Sequence, residues 1–145
     1  MSKVLSAVLI AATLLAGDIS SAQNPTYDIG PVWRMVYYRS KPGQDELFWK
    51  NINQNLKPGL IEAQKQGEIL ESRIFTNPLP TEPGDWQMLL MLKYPNYAAL
   101  DGLAAKSAAV YAKVYATPAA AAEAAKMRAD STETLSVHLL RQILE

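Results

Sequence analysis

Four stretches of the chain have the pattern of apolar residues that is typical of β-strands. Residues 33–39 (WRMVYYR) and residues 86–94 (WQMLLMLKY) are rich in aromatic and aliphatic side chains, and a proline-containing segment follows each of them, as is common after strands. Residues 69–75 (ILESRIF) and residues 135–143 also have strand character. Because WQMLLMLKY alternates little, we expect it to be a central strand that is covered on both sides.

Between the first strand and ILESRIF, apolar residues recur at every fourth position, which predicts an amphipathic helix over about Gln44–Gln66. Pro58 lies inside this helix and has no amide donor, so we expect a kink or a restart near Lys57. Gly67 follows the helix and suits a left-handed C-terminal cap. The residues of the apolar stripe are Phe48, Ile52, Leu56 and Leu60.

The second helical region is expected to consist of two pieces. Asn96 is a suitable N-cap for a helix over residues 97–116, where apolar residues again recur at helical spacing. Thr117 and Pro118 then start another helix, because threonine caps helices well and proline is favoured in the first turn. The alanine-rich stretch that follows has high helix propensity and continues to about Asp130.

The resulting order, β-α-β-β-α(α)-β, predicts an α+β fold of the ferredoxin-like type. We expect one antiparallel sheet with the strand order 4-1-3-2, which places the two most apolar strands in the middle. Both helical regions then cover one face of the sheet and leave the other face uncovered. Because a large uncovered apolar face usually marks an interaction surface, we expect a homodimer.

The first residues have the layout of a secretory signal peptide, residues 1–22. Lys3 precedes the apolar run Val4–Ala16, and Ser20 to Ala22 offer small residues at the positions that a signal peptidase reads. The apolar run is shorter than the ~20 residues that a membrane-spanning helix needs, and a buried core helix is the alternative. We therefore expect cleavage after Ala22 and a periplasmic or secreted protein without a membrane partner in its mature form.

The remaining chain is short enough for one domain. Residues 23–31, which contain Pro25, Gly30 and Pro31, are expected to be a polar leader along the surface. Residues 32–145 are then a single ferredoxin-like domain, and a chain of this size can bury a core without disulfides.

Composition and charge exclude several classes of function. The sequence has no cysteine, so thiolate catalysis, iron–sulfur clusters and cysteine zinc sites are not expected. Its 14 lysine and arginine residues balance 14 aspartate and glutamate residues, and a neutral chain without a basic cluster argues against nucleic-acid binding. With one histidine, a metal site would depend on carboxylates for every other ligand, so we expect no metal and no cofactor.

The stretch VWRMVYYRSKPGQDELFWKNIN, the βαββαβ order and the apolar strand WQMLLMLKY together resemble the dimeric α+β barrel superfamily. This superfamily includes antibiotic-biosynthesis-monooxygenase-like, NIPSNAP-like and stress-responsive barrel proteins, and the chain is more similar to its small exported bacterial members without an assigned activity. The resemblance covers roughly Trp33 to Leu144 and implies a homodimer that forms a barrel. Members range from cofactorless oxygenases, isomerases and haem-degrading enzymes to proteins without known chemistry, and no catalytic residue of theirs can be matched here.

His138 is the only histidine and the one ordinary proton shuttle near neutral pH. Strand alternation places it on the same side as Ser136 and Leu140, opposite Val137. It is a candidate general acid or base, and Tyr38 is a candidate hydrogen-bond donor in the same catalytic site. The alternative is a histidine at the surface or at an interface.

Arg34 shares its side of the first strand with Val36 and Tyr38, so a central strand directs an arginine towards the interior. Its guanidinium group could bind a ligand carboxylate through a fixed fork of donors. The alternatives are a structural ion pair with Glu71 or Asp85 across the sheet, or a pair in the barrel interior of a dimer.

Three further residues are candidates for ligand binding. Asn51 and Asn55 lie four residues apart beside the apolar stripe of the first helix, where amides can line a polar pocket. The alternative for both is a solvated helix flank. Trp86 is the third candidate, with a place in the core as its alternative.

These residues support three hypotheses. The first is an exported protein that binds a small, partly apolar molecule between sheet and helices. The second is a cofactorless oxygenase or isomerase of the same fold, with His138 as acid or base, Arg34 as anion anchor and Tyr38 as hydrogen-bond donor. The third is a structural or interaction protein without a ligand, which a fully packed space between sheet and helices would favour.

Overall fold

The computed structural model describes residues 28–79, 81–82 and 84–144, so the predicted signal peptide lies outside the described residues. Four strands form one antiparallel sheet with the order β2-β3-β1-β4. The predicted ferredoxin-like α+β fold and its 4-1-3-2 strand order are confirmed. The strands are β1 (Asp28–Ser40), β2 (Glu71–Thr76), β3 (Met88–Tyr94) and β4 (Thr132–Leu144).

The helical regions connect β1 to β2 and β3 to β4. They comprise α1 (Asp45–Asn51), a π-helical segment (Ile52–Leu56), α2 (Lys57–Lys65), a short 3-10 helix (Tyr97–Leu100), α3 (Leu103–Val114) and α4 (Pro118–Ser131). None of these described helices is long and apolar enough to cross a membrane.

The predicted irregularity in the first helical region is present as a π-helical turn immediately before Pro58. The N–H of Lys57 donates to the carbonyl of Ile52, five residues earlier, and Pro58 follows without an N–H of its own. Gly67 has a φ of 73°. This left-handed conformation confirms the predicted C-terminal cap.

The second helical region is more divided than predicted. Asn96 caps it as expected, but residues 97–116 do not form one helix, because Gly102 adopts a left-handed φ of 67° that a continuous helix cannot contain. The restart at Thr117 is confirmed, since its side-chain oxygen accepts a hydrogen bond of 3.2 Å from the N–H of Ala120.

β1 begins earlier than predicted. Asp28 pairs with Leu144 at the far end of β4, which provides the sheet hydrogen bonds that extended backbone requires. Gly30 lies so close to β4 that an added Cβ would be 2.8 Å from the carbonyl oxygen of Gln142. Residues 28–31 therefore belong to the domain, and the prediction of a leader is wrong for them.

The core lies between the helices and one face of the sheet, called the covered face here. Burying one large apolar side chain stabilises the fold by roughly 1.5–3 kcal/mol, and two adjoining groups supply such burial. The larger group comprises Val32, Val36, Ile69, Leu90, Leu92 and Tyr94. The smaller group comprises Phe48, Ile52 and Met88.

The opposite side of the sheet, called the open face here, carries the alternate residues of each strand. Phe75 and Leu140 on this face are 45% and 48% exposed. The strand register assigns its apolar and aromatic residues as Trp33, Met35, Tyr37, Phe75, Leu89, Met91, His138 and Leu140. The predicted uncovered apolar face is thus present.

Candidate ligand-binding site

A cleft with two lobes lies between the covered face and the helices. The first lobe has a volume of about 180 Å³ and lies between β1, the π-helical segment, α3 and α4. The second lobe has a volume of about 270 Å³ and extends beneath α2 and α3 towards β3. The lobes adjoin, because both are lined by Tyr38, Leu56, Tyr111 and Arg128. The space between sheet and helices is therefore not fully packed.

The alanines of α4 leave this space open. Ala121, Ala124 and Ala125 line the first lobe, and their spacing of three to four residues puts them on one side of the helix together with Arg128. Protein interiors normally fill such positions with larger side chains. Here α4 places three alanines over the first lobe, so a cavity remains.

A chain of amide and phenol groups borders the first lobe. The hydroxyl of Tyr115 donates to Oδ1 of Asn55 at 3.1 Å, and Nδ2 of Asn55 donates to Oδ1 of Asn51 at 3.0 Å. Asn51 is 3% exposed, and both asparagines line the lobe. The alternative of a solvated helix flank is therefore wrong for them, because α3 and α4 cover this side of the helix.

Tyr38 provides a phenol to both lobes. Burial raises its pKa above the ordinary value of 10.0, although the nearby guanidinium groups of Arg34 and Arg128 act in the opposite direction. Burial also raises the pKa of Tyr111, and Arg128 again opposes the shift. Both phenols therefore remain protonated at neutral pH and can donate hydrogen bonds.

Arg34 lines the second lobe and is half-buried. Among the described residues it forms no ion pair. The alternative of a structural pair is wrong for both proposed partners. Glu71 pairs with Arg73 on the open face, and the carboxylate of Asp85 accepts hydrogen bonds from backbone N–H groups of its own loop.

Arg128 is a cleft residue that the sequence analysis did not identify. It lines both lobes from α4 and has no ion pair within the described part of the chain. The other charged residues of the lining, Glu68 and Lys106, face each other at 3.8 Å. The cleft therefore carries a net positive charge from two arginines. The helical spacing from Ala121 to Arg128 was the one feature of the sequence that could have indicated that Arg128 lies at the cleft.

Tyr111 of α3 and Tyr115, which follows α3, also line the cleft and were not predicted from the sequence. Tyr111 and Tyr115 lie four residues apart, and their rings stack with centroids 5.8 Å apart at an angle of 13°. Tyr111 approaches α2 at the buried Gly59, where an added Cβ would be 2.6 Å from the ring. Glycine at this position lets the ring lie between α2 and the cleft. The spacing of the two tyrosines was visible in the sequence, but their contact with α2 was not.

His138 and Trp86 lie away from the cleft. His138 pairs with Met35 across the sheet and is exposed on the open face. Both His138 and Trp86 contact the ring of Tyr37 edge-on, with centroid distances of 5.7 and 5.5 Å. Since Tyr38 points to the covered face, the predicted combination of His138 and Tyr38 in one catalytic site is wrong for a single protomer. Trp86 lines neither lobe, so it lies apart from the other candidates for ligand binding.

The described residues contain no group of three or more histidine, aspartate or glutamate side chains that could hold a metal ion. The chemistry of the cleft therefore rests on phenol, amide and guanidinium groups. These groups bind and orient a ligand through hydrogen bonds and charge.

Solved structures provide counterparts for the fold. A dimeric protein of unknown function with a ferredoxin-like fold from Bacteroides fragilis matches with a TM-score of 0.50 at 17% identity, over 81% of this chain and 99% of its own. A dimeric ferredoxin-like protein from an uncultured marine organism has a TM-score of 0.44 at 10% identity, over 80% of this chain and 89% of its own. The first match supports the fold alone. No protein-family model and no curated protein matches the sequence.

Proposed function

We propose that the protein binds a small, partly apolar molecule in the cleft between the covered face and the helices. The observation that carries this proposal is the pair of adjoining lobes of about 180 and 270 Å³. Ligand sites commonly combine an apolar wall with a few polar groups that orient the ligand. In the first lobe, Ile52, Leu56 and Met88 supply the wall, whereas Tyr38 and Asn55 supply polar groups.

We further propose that two copies associate through their open faces as a dimeric α+β barrel. The exposed apolar side chains of this face support the assembly, because apolar surfaces of this kind mark interaction sites. The Bacteroides fragilis protein is described as dimeric, which agrees with this assembly. Each copy keeps its own cleft, since the cleft lies on the other side of the sheet. As part of the same proposal, the chain is a member of the dimeric α+β barrel superfamily and is similar to its small exported members.

We also propose that the protein is exported to the periplasm or secreted. The support comes from the sequence of residues 1–22, with one cation, a short apolar run and small residues before the cleavage position. Mass spectrometry of the mature protein measures the cleavage directly. A mature N-terminus at Gln23 is expected, and an intact N-terminal methionine on exported protein would contradict this part.

A pair of matched variants tests the ligand site. Ala121→Leu places a larger side chain in the first lobe, whereas Ala122→Leu makes the same change on the exposed side of α4, outside both lobes. The two variants are compared with the wild type by native mass spectrometry after gentle purification. Calorimetric titration with 2-naphthoate and with its neutral amide, 2-naphthamide, is then carried out on all three proteins.

We expect the wild type and Ala122→Leu to retain a defined extra mass or to bind at least one naphthalene compound. Ala121→Leu should lose that binding, because the added side chain occupies the lobe. If the wild type retains no mass and binds neither compound, the cleft is not a ligand site. Equal binding by all three proteins would contradict a ligand in the first lobe, because Ala121 lines that lobe alone.

A further inference from the structure

We infer that the cleft selects carboxylates that carry an apolar body, and that Arg34 and Arg128 together hold the carboxylate group. This inference rests on the proposed function, because it names the chemical class that the same cleft would take. It adds a charge requirement that an apolar cavity alone does not impose.

The charges of the cleft support an anionic ligand. Arg34 and Arg128 both line the second lobe, and neither has an ion pair among the described residues. Glu68 and Lys106, which also line it, are 3.8 Å apart and offset each other. A half-buried guanidinium group on a central strand is costly without a compensating anion. A ligand carboxylate would provide that compensation.

The two arginines approach the same region from opposite sides. Arg34 is on β1 beneath the helices and Arg128 is on α4 above the sheet, and both act on the phenol of Tyr38 strongly enough to oppose the effect of burial on its pKa. Guanidinium groups present planar donors that match a carboxylate. The protonated phenols of Tyr38 and Tyr111 supply further donors at the same place. All four donor groups line the second lobe.

The apolar body has a matching environment next to these donors. The second lobe has a volume of about 270 Å³, which suits a compact hydrocarbon or aromatic group. Its apolar lining contains Leu56, Leu60, Leu90, Leu92, Leu103 and Val110. Carboxylates with a hydrophobic body thus satisfy both parts of the cleft at once.

The test compares 2-naphthoate with 2-naphthamide, which have the same shape and differ in charge. Each is titrated by calorimetry into the wild type, Arg34→Gln, Arg128→Gln and the control Arg141→Gln. The control removes an arginine from β4 that stacks on Tyr97, 4.5 Å from the ring centroid, and does not line either lobe. Thermal unfolding of every variant shows whether it is folded.

We expect the wild type and Arg141→Gln to bind 2-naphthoate at least roughly tenfold more tightly than 2-naphthamide, as charge-assisted hydrogen bonds provide. Arg34→Gln and Arg128→Gln should lower the affinity for the carboxylate to that of the amide and leave the amide unchanged. If Arg34→Gln does not fold, the result for Arg128→Gln decides the test. Arg128 is an exposed residue of α4, so its substitution should leave the protein folded.

Three results would overturn the inference. Equal affinity of the wild type for both compounds would leave the proposed function intact and remove the preference for carboxylates. An undiminished preference in Arg34→Gln and Arg128→Gln would show that other groups hold the anion. No binding of either compound would overturn the proposed function, and the inference with it.

Discussion

The two faces of β1 are used in different ways. On the covered face, Val32 and Val36 are 0% and 1% exposed, yet Arg34 and Tyr38 between and beside them line a cavity. On the open face the strand carries Trp33, Met35 and Tyr37, and its neighbours include Leu140, which is 48% exposed. The helices cover the covered face except for a local gap, whereas no element of the described chain packs on the open face.

An apolar sheet face is therefore not always a covered one in this protein. The gap on the covered face arises where α4 places alanines above Tyr38, and a gap of this size fits a small molecule. The open face offers a flat apolar surface, and a second sheet face is a suitable cover for it. The proposed small-molecule binding and the proposed self-association thus lie on opposite sides of one sheet.

The largest expected contrast concerns stability. Phe48 is 0% exposed beneath the helices. The substitution Phe48→Ala should lower the free energy of unfolding by about 3–5 kcal/mol, because it leaves a cavity in the core. Phe75→Ala on the open face should cost less than about 1 kcal/mol in a monomeric protein, since Phe75 is already 45% exposed. Urea unfolding at a protein concentration low enough to keep the protein monomeric measures both. Similar losses would show that the two faces are equally packed within one protomer.

The next contrast concerns assembly. Met35→Arg places a charge at the centre of the open face and should weaken the dimer by at least roughly a hundredfold, because an unpaired charge would be buried. Sedimentation velocity over a concentration series measures the effect. Ile61→Arg, at a residue of α2 that is 55% exposed, is the control and should leave the dimer intact. A wild-type protein that is monomeric at every concentration would contradict the assembly.

A smaller effect is expected at the boundary between α2 and the cleft. Gly59→Ala should push the ring of Tyr111 into the cleft, because the added Cβ would be 2.6 Å from it. Overpacking of about 1–3 kcal/mol should outweigh the gain of about 1 kcal/mol in helix propensity. Calorimetry should show weaker binding of 2-naphthoate, and urea unfolding should show a modest loss of stability.

The same substitution can be tested in a background that removes the contact. In Tyr111→Leu protein, Gly59→Ala should stabilise the fold by up to about 1 kcal/mol, since helix propensity then acts alone. A loss of stability in that background would show that Gly59 is required for a reason other than the tyrosine ring.

The smallest effect concerns alkaline pH. Burial raises the pKa of Tyr38, Tyr94, Tyr111 and Tyr115 above 10.0 in the folded state. The folded protein therefore binds more protons than the unfolded chain near that pH, so this stabilisation is complete below pH 10 and is lost as the pH rises further. Unfolding free energy should fall between about pH 9 and about pH 11.

Tyr111→Phe is the matched variant for this dependence. It removes one titrating phenol, so the fall in unfolding free energy between the two pH values should be smaller than in the wild type. Urea unfolding at both pH values provides the comparison. An identical fall in the two proteins would show that Tyr111 does not contribute to it.

Much of the local structure was predictable from single residues. Pro58 marks an interrupted helix, Gly67 a left-handed cap, and Asn96 and Thr117 the starts of helical segments, and all four features are present. Their effects act within a few residues of the chain, through a missing donor, a permissive φ or a side-chain oxygen. The division at Gly102 was missed because a single glycine does not by itself show that it is left-handed.

The candidate site was predictable only in part. Alternation along β1 puts Arg34 and Tyr38 on one side, and helical spacing puts Asn51 and Asn55 together. Neither pattern shows that Arg128 approaches them, because α4 is rich in alanine and has no strongly apolar stripe. The position of Arg128 depends on how α4 crosses the sheet.

The sequence by itself determined the strands, the helical regions, their order and hence the ferredoxin-like fold, because propensity, capping and apolar period act locally. Only the tertiary structure decided which residues meet. The register of β4 places His138 on the open face, away from Tyr38, and the packing of α4 brings Arg128 to the cleft. Register and helix packing depend on contacts between distant parts of the chain, and no local pattern specifies them.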